Sequence, residues 1–245
     1  MAARYLVILA MLYMLSLMTA ASASPSLVEI TNFSKNMNIA TGGNGWGVGA
    51  TGGGDWSGWP GPGTLTSSGS LGTTFAIVND SSGNDATYIE AGKSLTVNLG
   101  LANAGTVYTL MSAAWTGTGQ MTNFATVTFT GSAGATESFN LSDNVDMSDW
   151  AMAPLSSTAL ATSKVNAQVA WTSSNHTIYE QAFTLSSAFQ SQTLVSMQIT
   201  AINASGSAAP GLFGLDVQAL PEPSSALLLG MQLACVAALG LSRRR

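Results

Sequence analysis

The body of this chain is predicted to be all-β, an antiparallel β-sandwich of the jelly-roll type. Three observations predict it. Apolar and polar residues alternate singly along the body, clusters of turn-forming residues separate the alternating runs, and amphipathic helical periodicity is missing between them. Ten or so short strands at this spacing, with no helices to carry parallel crossovers, pair antiparallel and stack as two sheets sharing alternate residues.

The elements follow in order. A first strand is expected near Leu27–Thr31, followed by a segment from Ala40 to Gly63 dominated by glycine and carrying Trp46, Trp56 and Trp59. Each glycine loses extra backbone entropy on ordering, so this segment reads as a long surface loop or arm. Strands are then expected at Thr74–Val78, Ala86–Glu90 and around Leu95, Val97 and Leu99, which interleave with Thr96 and Asn98. Thr106–Trp115 comes next, then Val127 and Phe129 flanked by Thr126, Thr128 and Thr130, then Thr136–Leu141. Ala167–Thr172 and Thr177–Leu185 follow. Val195, Met197, Ile199 and Ala201 alternate with Ser196, Gln198 and Thr200, and Phe213, Leu215, Val217 and Ala219 with Gly214, Asp216 and Gln218. Each run has the period of a strand with one face buried and one wet. Turns are expected at Asn79–Asn84, Gly117–Gly119 and Gly131–Gly134.

The two ends have a different grammar. Residues 1–23 read as a signal peptide. Arg4 precedes an apolar stretch from Tyr5 to Met18, and Ala21-Ser22-Ala23 is an A-x-A cleavage site, so Ala21 and Ala23 mark the expected cut. Signal peptidase and the secretion translocon are the partners this implies. At the other end, Pro221-Glu222-Pro223 precedes an apolar run from Ala226 to Leu241 and the cluster Arg243, Arg244 and Arg245. As a helix that run spans about 24 Å, short of a bilayer core of about 30 Å but within what local thinning accommodates. The arginines would stay cytoplasmic and hold the rest outside.

This order of triplet, short apolar helix and terminal arginines resembles the PEP-CTERM sorting tail of exported bacterial proteins. The resemblance covers about 25 of the 245 residues, Pro221 to Arg245, and the triplet matches position by position. It implies a transmembrane helix that anchors the chain transiently in the inner membrane and processing by an exosortase. The released protein would pass to the cell surface or an exopolysaccharide matrix of a Gram-negative-type bacterium. The expected organisation is therefore 1–23 signal peptide, 24–63 strand and Gly/Trp-rich loop, 64–220 sandwich, and 221–245 sorting tail. A looser resemblance joins Val107–Leu110, Val127–Gly131, Asp146–Trp150, Gln181–Leu185 and Gly211–Val217 to galactose-binding-like jelly-roll modules of bacterial surface proteins.

Composition narrows the function classes. Between the ends lie about 196 residues with 3 Lys against 11 acidic groups, about −8, which is unsuited to nucleic acid. The one Cys of the chain, Cys235, lies in the tail, so the body relies on packing and hydrogen bonds without disulfides.

Several motifs suggest chemistry. Gly47-Val48-Gly49-Ala50-Thr51-Gly52 satisfies G-x-G-x-x-G, but Gly53, Gly54, Gly58 and Pro60 follow where a dinucleotide fingerprint needs a helix. Trp46, Trp56 and Trp59 are candidates for a platform stacking on sugar rings, or for aromatics folded back over a sheet edge. Trp115, Trp150 and Trp171 read as packing at strand ends. Asp143, Asp146 and Asp149 are a weak calcium candidate and Asp80, Asp85 and Glu90 an equally loose one; neither matches a standard calcium loop, solvated turn residues explain both, and no metal or cofactor is expected. His176 is the only histidine, with no G-x-S-x-G elbow to accompany it, and among the acids nothing selects a carboxylate pair.

The expectation is therefore a non-enzymatic protein with a structural or adhesive role in exopolysaccharide. A carbohydrate-binding module is the alternative. A secreted hydrolase, or an ice-binding protein resting on the ladder Thr126-x-Thr128-x-Thr130, ranks lower.

Overall fold

The computed structural model describes residues 36–37, 59, 63–70, 72–77, 86–116, 120–173, 176–202 and 208–219. Twelve strands lie among them. They are β1 (Asn36–Met37), β2 (Thr64–Thr66), β3 (Thr74–Ile77), β4 (Ala86–Tyr88), β5 (Ser94–Ala102) and β6 (Ala104–Ala114). After these come β7 (Ala125–Gly131), β8 (Thr136–Leu141), β9 (Asn166–Thr172), β10 (Thr177–Thr184), β11 (Thr193–Ala201) and β12 (Ala209–Ala219). One sheet runs β1-β4-β12-β6-β10-β9, with β3 added on β12 and β2 on β3; the other runs β5-β11-β7-β8. Pairing is antiparallel throughout.

Local sequence explains the corners. Asn103 alone carries the chain from β5 in the small sheet to β6 in the large one, at a φ of 55°. Asparagine tolerates this left-handed conformation because its short amide bonds locally. Between β7 and β8 the chain turns at Gly131–Ala135, where the Gly131 N–H donates to the Ala135 carbonyl and Gly134 sits at φ 88°.

The first core lies between the sheets. Leu95, Val97, Val127, Phe129, Met197 and Ile199 of the small sheet meet Val107, Met111, Tyr179, Phe183, Leu215 and Val217 of the large one. The rings of Phe129, Phe139 and Phe183 converge with centroids 5.3 to 5.9 Å apart.

A second core fills the other face of the large sheet. It gathers Trp59, Leu65, Phe75, Ile77, Leu110, Trp171, Ile178 and Phe213. This sheet curls into a half-barrel, because the β2–β3 turn reaches across to β9. There the Ser68 N–H and hydroxyl both donate to the Ala170 carbonyl at 2.8 Å. The Ser70 N–H donates to Gln168 Oε1 at 2.9 Å.

The second core corrects the one-sided reading of β12. Leu215 and Val217 face the first core as alternation predicts, but a bulge between Leu212 and Gly214 turns Phe213 to the second core, and Asp216 is buried too, because this strand has apolar material on both faces. A bulge between Leu194 and Ser196 likewise overturns the expected inward position of Val195. Leu194 takes the buried place and Val195 is 40% exposed. Helix is not wholly absent either. A short helix α1 (Ser157–Ala161), N-capped by the Ser156 hydroxyl, and a 3-10 turn at Ser187–Phe189 interrupt the strands. No helix among the described residues is long and apolar enough to cross a membrane.

Candidate functional site

The most unusual surface is the outward face of the small sheet. Register places Ser94, Thr200, Thr126 and Asn140 side by side across β5, β11, β7 and β8. The next row is Thr96, Gln198, Thr128 and Ser138, and the third is Asn98, Ser196, Thr130 and Thr136. All twelve positions carry a hydroxyl or an amide, none carries a charge, and none is buried. Strand spacing and rise make this a grid about 14 Å across and about 13 Å along the strands.

Hydrogen bonds within the rows hold the side chains in place. Ser94 Oγ and Thr200 Oγ1 lie 2.8 Å apart, and Gln198 Nε2 donates to Thr96 Oγ1 at 3.1 Å. Thr126 Oγ1 donates to Asn140 Oδ1 at 2.8 Å, and Thr128 Oγ1 and Ser138 Oγ are also 2.8 Å apart. A hydroxyl has one proton and two acceptor lone pairs, so these pairs leave capacity directed to solvent.

At the β8 edge the grid runs into a cavity of about 490 Å³. Ser138 and Asn140 belong to both; Gln120, Asn123, Asp146 and Lys164 add further polar groups. The size suits a small polar ligand such as one or two sugar units.

Asp143, Asp146 and Asp149 lie in the loop after β8, with Asp146 at the cavity wall, and all three are buried, which corrects their reading as solvated turn residues. The loop is stitched into the first core. Ala113 N–H donates to Ser148 O at 2.9 Å, Trp150 N–H to Ala113 O at 2.8 Å, and Tyr179 Oη pairs with Ser148 Oγ at 2.8 Å. Each carboxylate is turned to its own partners. Thr116 Oγ1 and Asn144 Nδ2 donate to Asp143. Ser142 N–H and the Ser163 hydroxyl donate to Asp146, and the N–H groups of Thr116 and Ala151 to Asp149. Among the described residues no group of three or more acidic, His or Cys side chains is arranged to hold a metal. Burial pushes the Asp143 carboxyl up to about 7, with Asp149 adding to the rise and the Thr116 and Asn144 bonds opposing it. Burial also raises Asp146. These groups brace a loop.

Trp59 lies in the second core, 8% exposed, with its ring edge-on to Trp171 at 5.3 Å and Phe213 at 5.7 Å. It covers apolar surface and offers no open face for a sugar. Trp46 and Trp56 lie outside the described residues, so no platform can be drawn from the three. Trp150 and Trp171 are buried as expected, whereas Trp115 is 50% exposed, beside Tyr88 at φ 53°. His176 is buried and stacked on Trp150 at 4.5 Å and 9°. Its Nδ1 also lies 3.4 Å from the Ser173 hydroxyl.

Ala21 and Ala23, Pro221, Glu222 and Pro223, and Arg243, Arg244 and Arg245 also lie outside the described residues, as do the expected strand near Leu27–Thr31 and the G-x-G-x-x-G stretch. No protein-family model matches the chain, and no curated protein is similar to it.

The grid was missed in the sequence although each strand's share was visible there. Ser94-x-Thr96-x-Asn98, Thr136-x-Ser138-x-Asn140 and Ser196-x-Gln198-x-Thr200 repeat the pattern of Thr126-x-Thr128-x-Thr130. Sequence order does not say that β5 and β7 share β11 as a neighbour.

Proposed function

We propose that this is an exported, non-enzymatic β-sandwich of the jelly-roll type that adheres to neutral polysaccharide through the grid on its small sheet. The observation that carries the reading is the complete occupation of twelve outward positions by uncharged hydrogen-bonding groups. A glycan chain presents hydroxyls at intervals, and many weak matched bonds along it add up without any one strong contact. The neutral face also avoids electrostatic capture by unrelated polyions. The cavity at Ser138 and Asn140 would seat a side branch or chain end. The weaker likeness to galactose-binding-like modules is compatible with this use.

The address is read from the chain's ends. Signal peptide, PEP-CTERM triplet, apolar run and arginines together support export, transient inner-membrane anchoring through an exosortase, and release to the cell surface or matrix. Mass spectrometry of the secreted protein tests that part. A mature start at Ser24 and a trimmed tail are expected; secreted material ending at Arg245 would refute processing.

Adhesion is tested by co-sedimentation of the protein with insoluble neutral and acidic polysaccharides. Binding to the neutral set is expected to weaken about tenfold or more in Thr96→Lys/Thr128→Lys, which places two charges in the middle row. Undiminished binding in that variant would remove the grid from the argument. The Thr126, Thr128 and Thr130 ladder, extended now over four strands, favours a second reading as an ice-binding face. Inhibition of ice recrystallisation by the protein, abolished in the same variant, would select it.

A further inference from the structure

Trp115 carries two costs at once. It follows β6 directly, is 50% exposed, and has a φ of 53°. A bulky side chain in the left-handed region crowds its own backbone, where Asn or Gly is tolerated. The other non-glycine residues at positive φ among those described, Asn103, Asn123 and Asn144, are all of the tolerant type. Trp115 thus combines backbone strain with an indole in water. Such strain persists only where the surrounding structure fixes it, and it concentrates at ligand sites.

The fixing groups are the buried aspartates after β8. Ala113 N–H donates to Ser148 O and Trp150 N–H to Ala113 O, which ties the end of β6 to that loop. Just beyond Trp115, Thr116 N–H donates to Asp149 Oδ2 and Thr116 Oγ1 to Asp143 Oδ1, both at 3.1 Å. Thr116 is buried with them. Drawing both Thr116 donors inward onto carboxylates holds the left-handed turn at Trp115 and leaves that side chain half in solvent. Tyr88 of β4 meets the indole edge-on, with ring centroids 6.4 Å apart and planes at 74°. Tyr88 packs in turn against the second core, so the indole leans on a fixed neighbour.

The size of the patch restricts its occupant. A tryptophan presents at most about 250 Å², so half of one with part of Tyr88 falls far below the roughly 800 Å² per partner of a stable protein interface. The other exposed large apolar side chains among those described, Val195 and Ile202, lie in and just after β11 of the small sheet. The acidic body disfavours a nucleobase carried on a phosphate backbone. A neutral pyranose has a flat face of C–H groups that matches an indole in extent, while its hydroxyls stay in water.

We propose that Trp115, backed by Tyr88, is a stacking site for one neutral sugar ring, on the large sheet and separate from the grid. The site rests on the reading of the chain as a polysaccharide binder and gives it a second point of attachment.

The test titrates the full-length protein with cellohexaose, maltohexaose and a galactan hexasaccharide, followed by calorimetry. Binding of at least one is expected, weakened about tenfold or more in Trp115→Asn. Asparagine suits this φ, so the variant should melt at the same temperature or higher, whereas a Trp kept for packing would lower Tm when removed. Trp115→Tyr should keep part of the affinity, and Thr96→Lys/Thr128→Lys should keep the binding that depends on Trp115. Loss in that grid variant with none in Trp115→Asn overturns the proposal and leaves the grid reading standing. Loss in Trp115→Asn alone supports it, the grid being judged separately by co-sedimentation. The proposal also fails if no hexasaccharide binds, if Tm falls in Trp115→Asn, or if phosphatidylcholine vesicles rather than sugars capture the protein through Trp115.

Discussion

The two sheets are made from strands of similar composition and yet do opposite things with their second face. In the small sheet one face joins the first core and the other is the open grid of Ser94, Thr96, Thr128, Gln198 and their neighbours. In the large sheet both faces are buried, one against the small sheet and one under Trp59, Leu65 and Phe75. Polar residues at the centre of the large sheet, such as Thr109, Glu180, Gln181 and Asp216, are therefore enclosed, and each must find a partner or stay costly. Thr109 and Gln181 do so, with Thr109 Oγ1 donating to Gln181 Oε1 at 3.0 Å and Gln181 Nε2 to Asp146 O at 3.1 Å. Glu180 and Asp216 do so only in part. A polar residue on a strand is thus a surface for partners in one sheet and an electrostatic load in the other.

That contrast is broken or sharpened by substitution. The largest effect is expected at Phe213→Ala, which empties the second core beside Trp59 and should cost about 3–5 kcal/mol in chemical denaturation. A loss under 1 kcal/mol would mean that the half-barrel contributes little to stability.

The next effect is on pH dependence. The folded-state pKa of Asp143 is raised to about 7 and that of Asp216 to about 6, each from 3.8. For Asp216, burial is again the main cause, with the Glu180 charge adding to it and the Val217 N–H opposing it. Between 3.8 and those values the folded protein binds more protons than the unfolded chain, so their contribution is full at the acid end and lost as pH rises. Each unit of such a shift corresponds to about 1.4 kcal/mol. Melting of the protein should therefore fall as pH rises from 4 towards 8, and Asp143→Asn with Asp216→Asn should flatten the slope. An unchanged slope in the double variant would assign the dependence to other groups.

Gly214→Ala should cost about 1–3 kcal/mol by overpacking. Its Cβ would meet the Ala76 carbonyl oxygen at 2.8 Å and Leu110 Cδ1 at 3.0 Å, and backbone has little room to yield. Thr128→Val on the grid should change stability by no more than about 0.5 kcal/mol, while polysaccharide retention falls. Equal losses of stability at Gly214 and Thr128 would erase the distinction between the sheets.

Legibility followed the same division. Along β5, β7 and β8 the alternation marked the outward residues, because one side meets water and the period of two survives. The strand cores of β9 and β10 were also found, since β-branched and aromatic residues concentrate there. Val195 was misplaced because a bulge inserts one residue and reverses the faces beyond it. Asp216 was misread as wet because nothing local announces that a hairpin 140 residues earlier folds over it. The aspartates after β8 were taken for solvated turns for a related reason. Short polar loops usually lie outside, and only the contacts with β6 and β10 pull this one in.

Periodicity and turn chemistry are local, acting within a few residues, and so the strands, their corners and the all-β class were determined by the sequence alone. Which strands become neighbours depends on the closing of loops many residues long and on burial summed over both faces. Only the tertiary structure decided that four separate polar faces form one neutral grid, and that two distant carboxylates are enclosed in the large sheet with one oxygen of each left unpaired.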